Sequence, residues 1–175
     1  SIGKTAGILA TGNLALDAKK DITVFGADVV AGGNASLAAG GNVSFDTIVD
    51  KTTNTSHSSS TSLLTATTSS TTTTKERNIG SVLVTGGGLS IKSGGDTTIA
   101  GSTADVGGDL SVDVGGNFNV VARQDKTTSK TVTETSGLGV GGGVAGTQKT
   151  TTDSFKGTNA GTTLNFGSAA ASGAT

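Results

Sequence analysis

At 175 residues the chain is long enough to bury a core as one domain, but five Phe and no Trp, Tyr, Met or Cys exclude a core of large side chains. A net charge of −1 argues against a nucleic-acid footprint, and the lack of Cys excludes disulfides and thiol chemistry. No apolar run reaches the roughly 18 residues of a membrane-spanning helix, and no basic, then apolar, leader opens the chain. The missing Met, even at position 1, predicts a segment of a longer polypeptide with its targeting signals elsewhere.

In chain order, short apolar-x-apolar triplets alternate with glycine-rich turns. Leu14/Leu16, Ile22/Val24, Leu37 and Val43/Phe45 have the two-residue period that puts both side chains on one face of a strand. A polar stretch, 46–78, follows, with a small apolar centre at Leu63-Leu64. Triplets resume at Val82, Leu89/Ile91, Ile99, Leu110/Val112 and Phe118/Val120, and a second polar stretch, 121–153, has a glycine-rich centre. Leu164-Asn165-Phe166 reads as a last strand. Proline is absent throughout, as a nearly all-strand chain requires, because it removes a ladder donor.

The triplets are not independent. Residues 12–54 recur at 87–129 with a constant offset of 75, so Asp50-Lys51-Thr52-Thr53 returns as Asp125-Lys126-Thr127-Thr128. Inside each copy a step of 21 carries Leu14-Ala15-Leu16 to Ala35-Ser36-Leu37, and Leu89-Ser90-Ile91 to Leu110-Ser111-Val112. Two such units leave 33 residues of the 75, assigned to inserts at 46–78 and 121–153. Residues 79–87 align with 25–33 at an offset of 54, so the first insert leaves one unit and returns to the same unit.

Three short strands and three corners per 21 residues make one coil of a parallel β-helix, with coils stacking at about 4.8 Å. The reading is an all-β single solenoid over residues 1–175, with Leu16, Leu37, Ile91 and Val112 as one inward ladder. At the corners, Gly-Gly-Asn and Gly-Gly-Asp are expected to supply positive φ and side chains that bond their own backbone. A propeller would need longer blades with their own signatures. Each insert is either a disordered Ser/Thr-rich loop or, more sharply, a β-hairpin with arms of about 15 residues. Two strands are as wide as two coils are tall, roughly 9.6 Å, so successive hairpins can pair edge to edge. The raw strand edges near 2–9 and 164–166 predict end-to-end stacking at high concentration.

GN-L-x-L-x-A at 12–18, GG-x-L-x-I-x-S at 87–93, GG-D-L-S-V at 107–112 and Gly101-Ser102-Thr103-Ala104 resemble filamentous-haemagglutinin repeats. These repeats belong to exoproteins of bacterial two-partner secretion, among them contact-dependent growth inhibition proteins and haemagglutinin adhesins. The resemblance implies a right-handed β-helix in the stalk of a secreted protein held at the cell surface. The partners it implies are an outer-membrane transporter during export, a target-cell surface or membrane, and neighbouring repeats of the same chain. Toxin delivery in contact-dependent growth inhibition is the first functional reading, and an adhesin shaft binding surface glycans is the second.

No enzymatic chemistry and no cofactor is expected. His57 is the sole histidine and lies in a polar insert, without the ordered pocket and partner a general base needs. The corner Asn and Asp invite a calcium reading, but the second Gly-x-Asp element of calcium-binding β-rolls is missing. Gly139–Gly146 lacks the Gly-Lys-Ser/Thr of a phosphate loop. Lys19, Lys20, Lys75, Arg77 and Lys149 are read as solubilising charge ahead of glycan contacts. The candidate interaction residues are the apolar insert centres Leu63, Leu64, Leu138, Val140 and Val144. They either touch lipid or a partner chain or, as preferred here, close a small core of their own hairpin.

Overall fold

The structure, a computed structural model, describes residues 5–167 and 169–173. The chain forms two compact units: one from the stretches up to Asp50, Asn78–Gln124 and Asn159 onward, the other from Lys51–Arg77 and Asp125–Thr158. Of the anticipated edge at 2–9, residues 2–4 lie outside the described residues.

The first unit is a parallel β-helix. Its first coil runs β1 (Gly7–Ala10), β2 (Leu14–Ala18) and β3 (Ile22–Phe25); its second runs β4 (Asp28–Ala31), β5 (Ala35–Ala39) and β6 (Val43–Asp46). The chain then leaves through β7 (Ile48–Thr61) and β8 (Thr65–Ile79). It returns as β9 (Val82–Thr85), β10 (Leu89–Ser93) and β11 (Thr97–Ala100), then β12 (Thr103–Val106), β13 (Leu110–Val114) and β14 (Phe118–Val121). A second excursion, β15 (Arg123–Leu138) and β16 (Ala145–Ala160), precedes β17 (Thr163–Asn165) and β18 (Ala169–Gly173). Equivalent strands form three parallel sheets, ordered β1-β4-β9-β12-β17, β2-β5-β10-β13-β18 and β3-β6-β11-β14.

The register is the repeat made physical. Leu16 pairs with Leu37, Leu37 with Ile91 and Ile91 with Val112, as the 21-residue step requires. Asp28 pairs with Val82, which confirms the offset of 54 across the first excursion. Alternation turns Leu37, Leu89, Ile91, Ile99, Val29 and Val43 inward, where each is essentially fully buried. Burying each such side chain contributes about 1.5–3 kcal/mol. Phe45 is the one Phe in this core; Phe25, Phe118, Phe155 and Phe166 are exposed. The lumen is narrow, so small aliphatic ladders fill it.

The corners differ from expectation. The Gly-Gly pairs do not adopt positive φ; among the described residues that conformation is confined to Gly26, Gly101, Gly137, Gly139, Gly141 and Gly142. The corner glycines are needed because stacked backbones approach closely. A Cβ on Gly32 would overlap the carbonyl oxygen of Thr11 one coil away, and a Cβ on Gly33 would overlap Oδ1 of Asn13. Nor does the corner amide or carboxylate bond its own backbone. Asn13 Oδ1 accepts the Asn34 N–H at 2.9 Å, and Asn34 Oδ1 accepts the Gly88 N–H at 2.7 Å. On the next corner, Asp21 bonds Asn42, Asn42 bonds Asp96 and Asp96 bonds Asn117 in the same way. Two polar ladders thus climb the coils beside the apolar ones.

The second excursion also runs past its predicted end at 153. β16 continues to Ala160, and Thr163 pairs with Thr103, an offset of 60 where the first excursion has 54. Six further residues are spent in the longer arms and the glycine-rich turn. The predicted last strand at 164–166 begins and ends one residue earlier, as Thr163–Asn165, and it is not the last, since β18 follows and pairs with β13.

Where the chain leaves and rejoins the coil, a polar latch forms within the first unit. Arg123 Nε donates to Asp46 Oδ1 at 2.8 Å, and its Nη2 donates to Asp46 Oδ2. Asp46 also accepts the Thr47 N–H at 2.7 Å, and Thr47 Oγ1 bonds Asn78 Oδ1. The Arg123 hydrogen bond holds the Asp46 carboxyl below its usual range, against a smaller opposing effect of burial. Ser81, fully buried, holds its hydroxyl within reach of both Val24 O (3.0 Å) and Asp46 O (2.8 Å), which share its single proton near the exit.

Candidate interaction surfaces

The second unit is a four-stranded sheet in the order β16-β15-β8-β7. The two hairpins are joined by twelve antiparallel pairs between β15 and β8, from Lys126 opposite Glu76 to Gly137 opposite Thr65. Thr favours strands because its branched Cβ suits an extended backbone. Ion pairs cross each hairpin at Lys51–Glu76 (3.1 Å) and Lys149–Glu134 (3.0 Å).

One face of this sheet is paved with hydroxyls. Thr67 bonds Thr135, Ser69 bonds Thr133, Thr71 bonds Thr131 and Thr73 bonds Ser129 across the central pair of strands. Thr53–Thr74 and Thr55–Thr72 make the same bond on the opposite face between β7 and β8. The faces differ because hydroxyls meet where the backbones do not exchange hydrogen bonds, and there the strands lie closer. Extending these pairings, with Arg123 opposite Ala160 and Leu138 opposite Ala145 at the ends of the second hairpin, gives straight ranks. Ser56, Thr71, Thr131 and Thr152 form one rank, and Ser58, Ser69, Thr133 and Thr150 the next.

The apolar insert centres lie at the hairpin tips. Leu63 is 98% exposed, Leu64 55%, Leu138 53% and Val144 88%, while Val140 is half-buried in a short 3-10 turn, Val140–Gly142. The preferred expectation of a small closed hairpin core is therefore wrong. The arms are too polar to supply a second apolar layer, so the tips stay open. The two tips adjoin, since the Leu138 N–H donates to Leu64 O at 3.0 Å.

The remaining candidates fall elsewhere. His57 is exposed on β7 and lines a shallow cleft of about 400 Å³ with Ser70, Val132 and Glu134. The Asn34, Asn42 and Asp96 side-chain oxygens of the calcium reading are taken up by backbone N–H groups of the next coil. Among the described residues no three His, Asp or Glu gather as metal ligands, and no helix is long and apolar enough to cross a membrane. Lys149 is engaged with Glu134, whereas Lys75 is exposed on the hydroxyl-rich face. On the coil unit a groove of about 450 Å³ runs over the outward Ser36, Ser90 and Ser111, edged by Asn34 and Asp109. The sequence carried no sign of this groove or of the latch. Asp46 and Arg123 are 77 residues apart and occupy non-equivalent places in the repeat.

Residues 3–137 match the Hemagglutinin repeat family. The chain belongs to that family. The match spans the coils through β14 and the whole first hairpin, and it ends within β15. No curated protein and no solved structure shows a significant match to the chain. As a hemagglutinin repeat segment it is of a structural, adhesin-like kind, which agrees with a fold whose regular elements are spent on stacking.

Proposed function

We propose that this segment is a shaft and contact element of a large bacterial exoprotein, secreted by a two-partner route and held at the cell surface. In this reading it serves contact-dependent delivery of a toxin carried elsewhere on the polypeptide. The coils turn chain length into reach, at about 4.8 Å for each 21-residue turn. The observation that carries the contact role is the pair of adjoining exposed tips, Leu63-Leu64 and Leu138/Val144. An apolar cluster exposed on an otherwise hydroxylated sheet loses free energy in water and regains it against a membrane or an apolar partner.

The test is flotation of the purified chain with liposomes of outer-membrane phospholipid. The expected result is co-flotation that Leu63→Ser/Leu64→Ser abolishes while far-UV circular dichroism is unchanged. Failure of the wild-type chain to float would reject the membrane role. It would leave the adhesin reading, favoured by the groove over Ser36, Ser90 and Ser111, whose serines, Asn34 and Asp109 offer hydroxyl, amide and carboxylate groups to a glycan chain.

A further inference from the structure

We propose that the hairpin tips engage a bilayer only at its headgroup–acyl boundary, through an end of the sheet that carries no charge, so that binding does not depend on the charge of the lipid. This deepens the membrane reading above and rests on it.

From Ser60 to Thr67 in the first hairpin and from Thr135 to Gln148 in the second, the chain has no Asp, Glu, Lys, Arg or His. The strand pairing brings these stretches together at one end of the sheet, with Thr67 opposite Thr135 and Thr65 opposite Gly137. The first charges behind that end are Glu134 and Lys149, which neutralise each other at 3.0 Å. Glu134 lies opposite Thr68, behind Gly137 by roughly 10 Å at the rise of a strand. The turn from Leu138 to Val144 extends the neutral end further.

Two kinds of group occupy this end. In front stand Leu63 and Val144, almost wholly exposed, with Leu64 and Leu138 beside them. Behind them is a collar of hydroxyl side chains, Ser62, Thr65, Ser136 and Thr147, of which Ser62 and Thr65 bond each other at 2.8 Å. A hydroxyl can donate to the ester and phosphate oxygens of a headgroup without bringing a charge. The leading turn sets the depth. Between Leu138 and Val144 it reads Gly-Val-Gly-Gly-Gly, with Gly139, Gly141 and Gly142 at positive φ. A turn of this length presents amide groups that a hairpin ladder does not pair, and these are costly in hydrocarbon, where no water bonds them. The tip therefore stops about 5–10 Å in, where apolar side chains are buried and backbone groups still meet water and ester oxygens. At that depth the Glu134–Lys149 pair stays in water, and no cluster of basic residues lies close enough to draw the tip to an anionic surface.

The chain has no cysteine, so single cysteines can carry a polarity-sensitive fluorophore at chosen heights. With phosphatidylcholine vesicles, a label on Val144→Cys should shift to the blue and be quenched by a nitroxide on the acyl chains. A label on Thr151→Cys, behind the charged pair, should do neither. Flotation of the wild-type chain should change by less than about twofold when phosphatidylglycerol replaces part of the phosphatidylcholine, or when salt is raised. Val144→Asp should lower flotation at least roughly tenfold, whereas Thr151→Asp should leave it within about twofold of wild type. Far-UV circular dichroism should match wild type for both. A blue shift at Thr151→Cys, none at Val144→Cys, a requirement for anionic lipid, or equal flotation of the two Asp variants would overturn the neutral interfacial contact and leave the membrane reading standing. A wild-type chain that floats with no vesicle would overturn both.

Discussion

Gly12 and Gly33 hold the same place in successive coils, yet a methyl group would meet different surroundings at each. A Cβ on Gly33 would overlap Asn13 Oδ1 and press on the backbone of Gly12 and Asn13, whereas one on Gly12 has nothing within 4 Å. The corner is a site of close approach, and the polar ladder through Asn13 and Asn34 depends on it. Gly33→Ala is therefore expected to destabilise by roughly 2–3 kcal/mol, the usual scale of overpacking. Gly12→Ala should stay within about 0.5 kcal/mol. Urea unfolding of the two variants, followed by far-UV circular dichroism, checks the contrast. Equal midpoints would mean that the stacked corners yield freely. The sequence displayed these glycines plainly but pointed to the wrong cause. Gly-Gly-Asn reads as a positive-φ turn when only neighbours in the chain are considered, and the decisive neighbour is one coil away.

At the level of elements, the latch at the exit of the hairpins has a definite pH signature. Hydrogen bonding by Arg123 lowers the Asp46 pKa below the ordinary aspartate value of about 3.9. A carboxylate with a folded pKa below its unfolded one contributes stability that is fully present above the unfolded value. That contribution fades as pH falls through the folded value. The wild-type chain should thus lose stability below about pH 4 more steeply than Asp46→Asn. At neutral pH, Arg123→Ala should cost about 1 kcal/mol, because a partly buried carboxylate loses a paired donor. Thermal melts at pH 3 and pH 7 decide it, and parallel acid profiles for wild type and Asp46→Asn would refute the assignment. The legibility of the elements follows from their periodicity. Coil strands and their register were readable because Leu16, Leu37, Ile91 and Val112 repeat a pattern that packing enforces. The hairpin arms were readable only as inserts. Ser and Thr occupy both faces of β8 and β15, so no two-residue alternation marks a face. The end of the second arm was misplaced because nothing in an arm must repeat residue for residue.

For the molecule as a whole, the division into two units sets which part can be removed. The apolar core lies within the coil unit, from Val29 to Val114. The hairpin unit has no comparable core among the described residues and rests on backbone ladders, hydroxyl pairs and ion pairs such as Lys51–Glu76 and Lys149–Glu134. Replacing residues 51–76 by Asn-Gly would join Asp50 to Arg77 through a two-residue turn. The coils should keep their amide protection at Leu37, Leu89 and Ile91. The remaining hairpin, β15 with β16, should lose its protection, because an isolated two-stranded ribbon is marginal in water. Hydrogen exchange read by mass spectrometry separates the outcomes. Loss of protection in the coils would show that the hairpin sheet supports the solenoid. Retained protection in β15 would show that one hairpin suffices alone. The expected pattern, coils intact and the lone hairpin open, makes the sheet a cooperative property of adjacent repeats. A contact surface of this kind then exists only where the array is long enough to pair it.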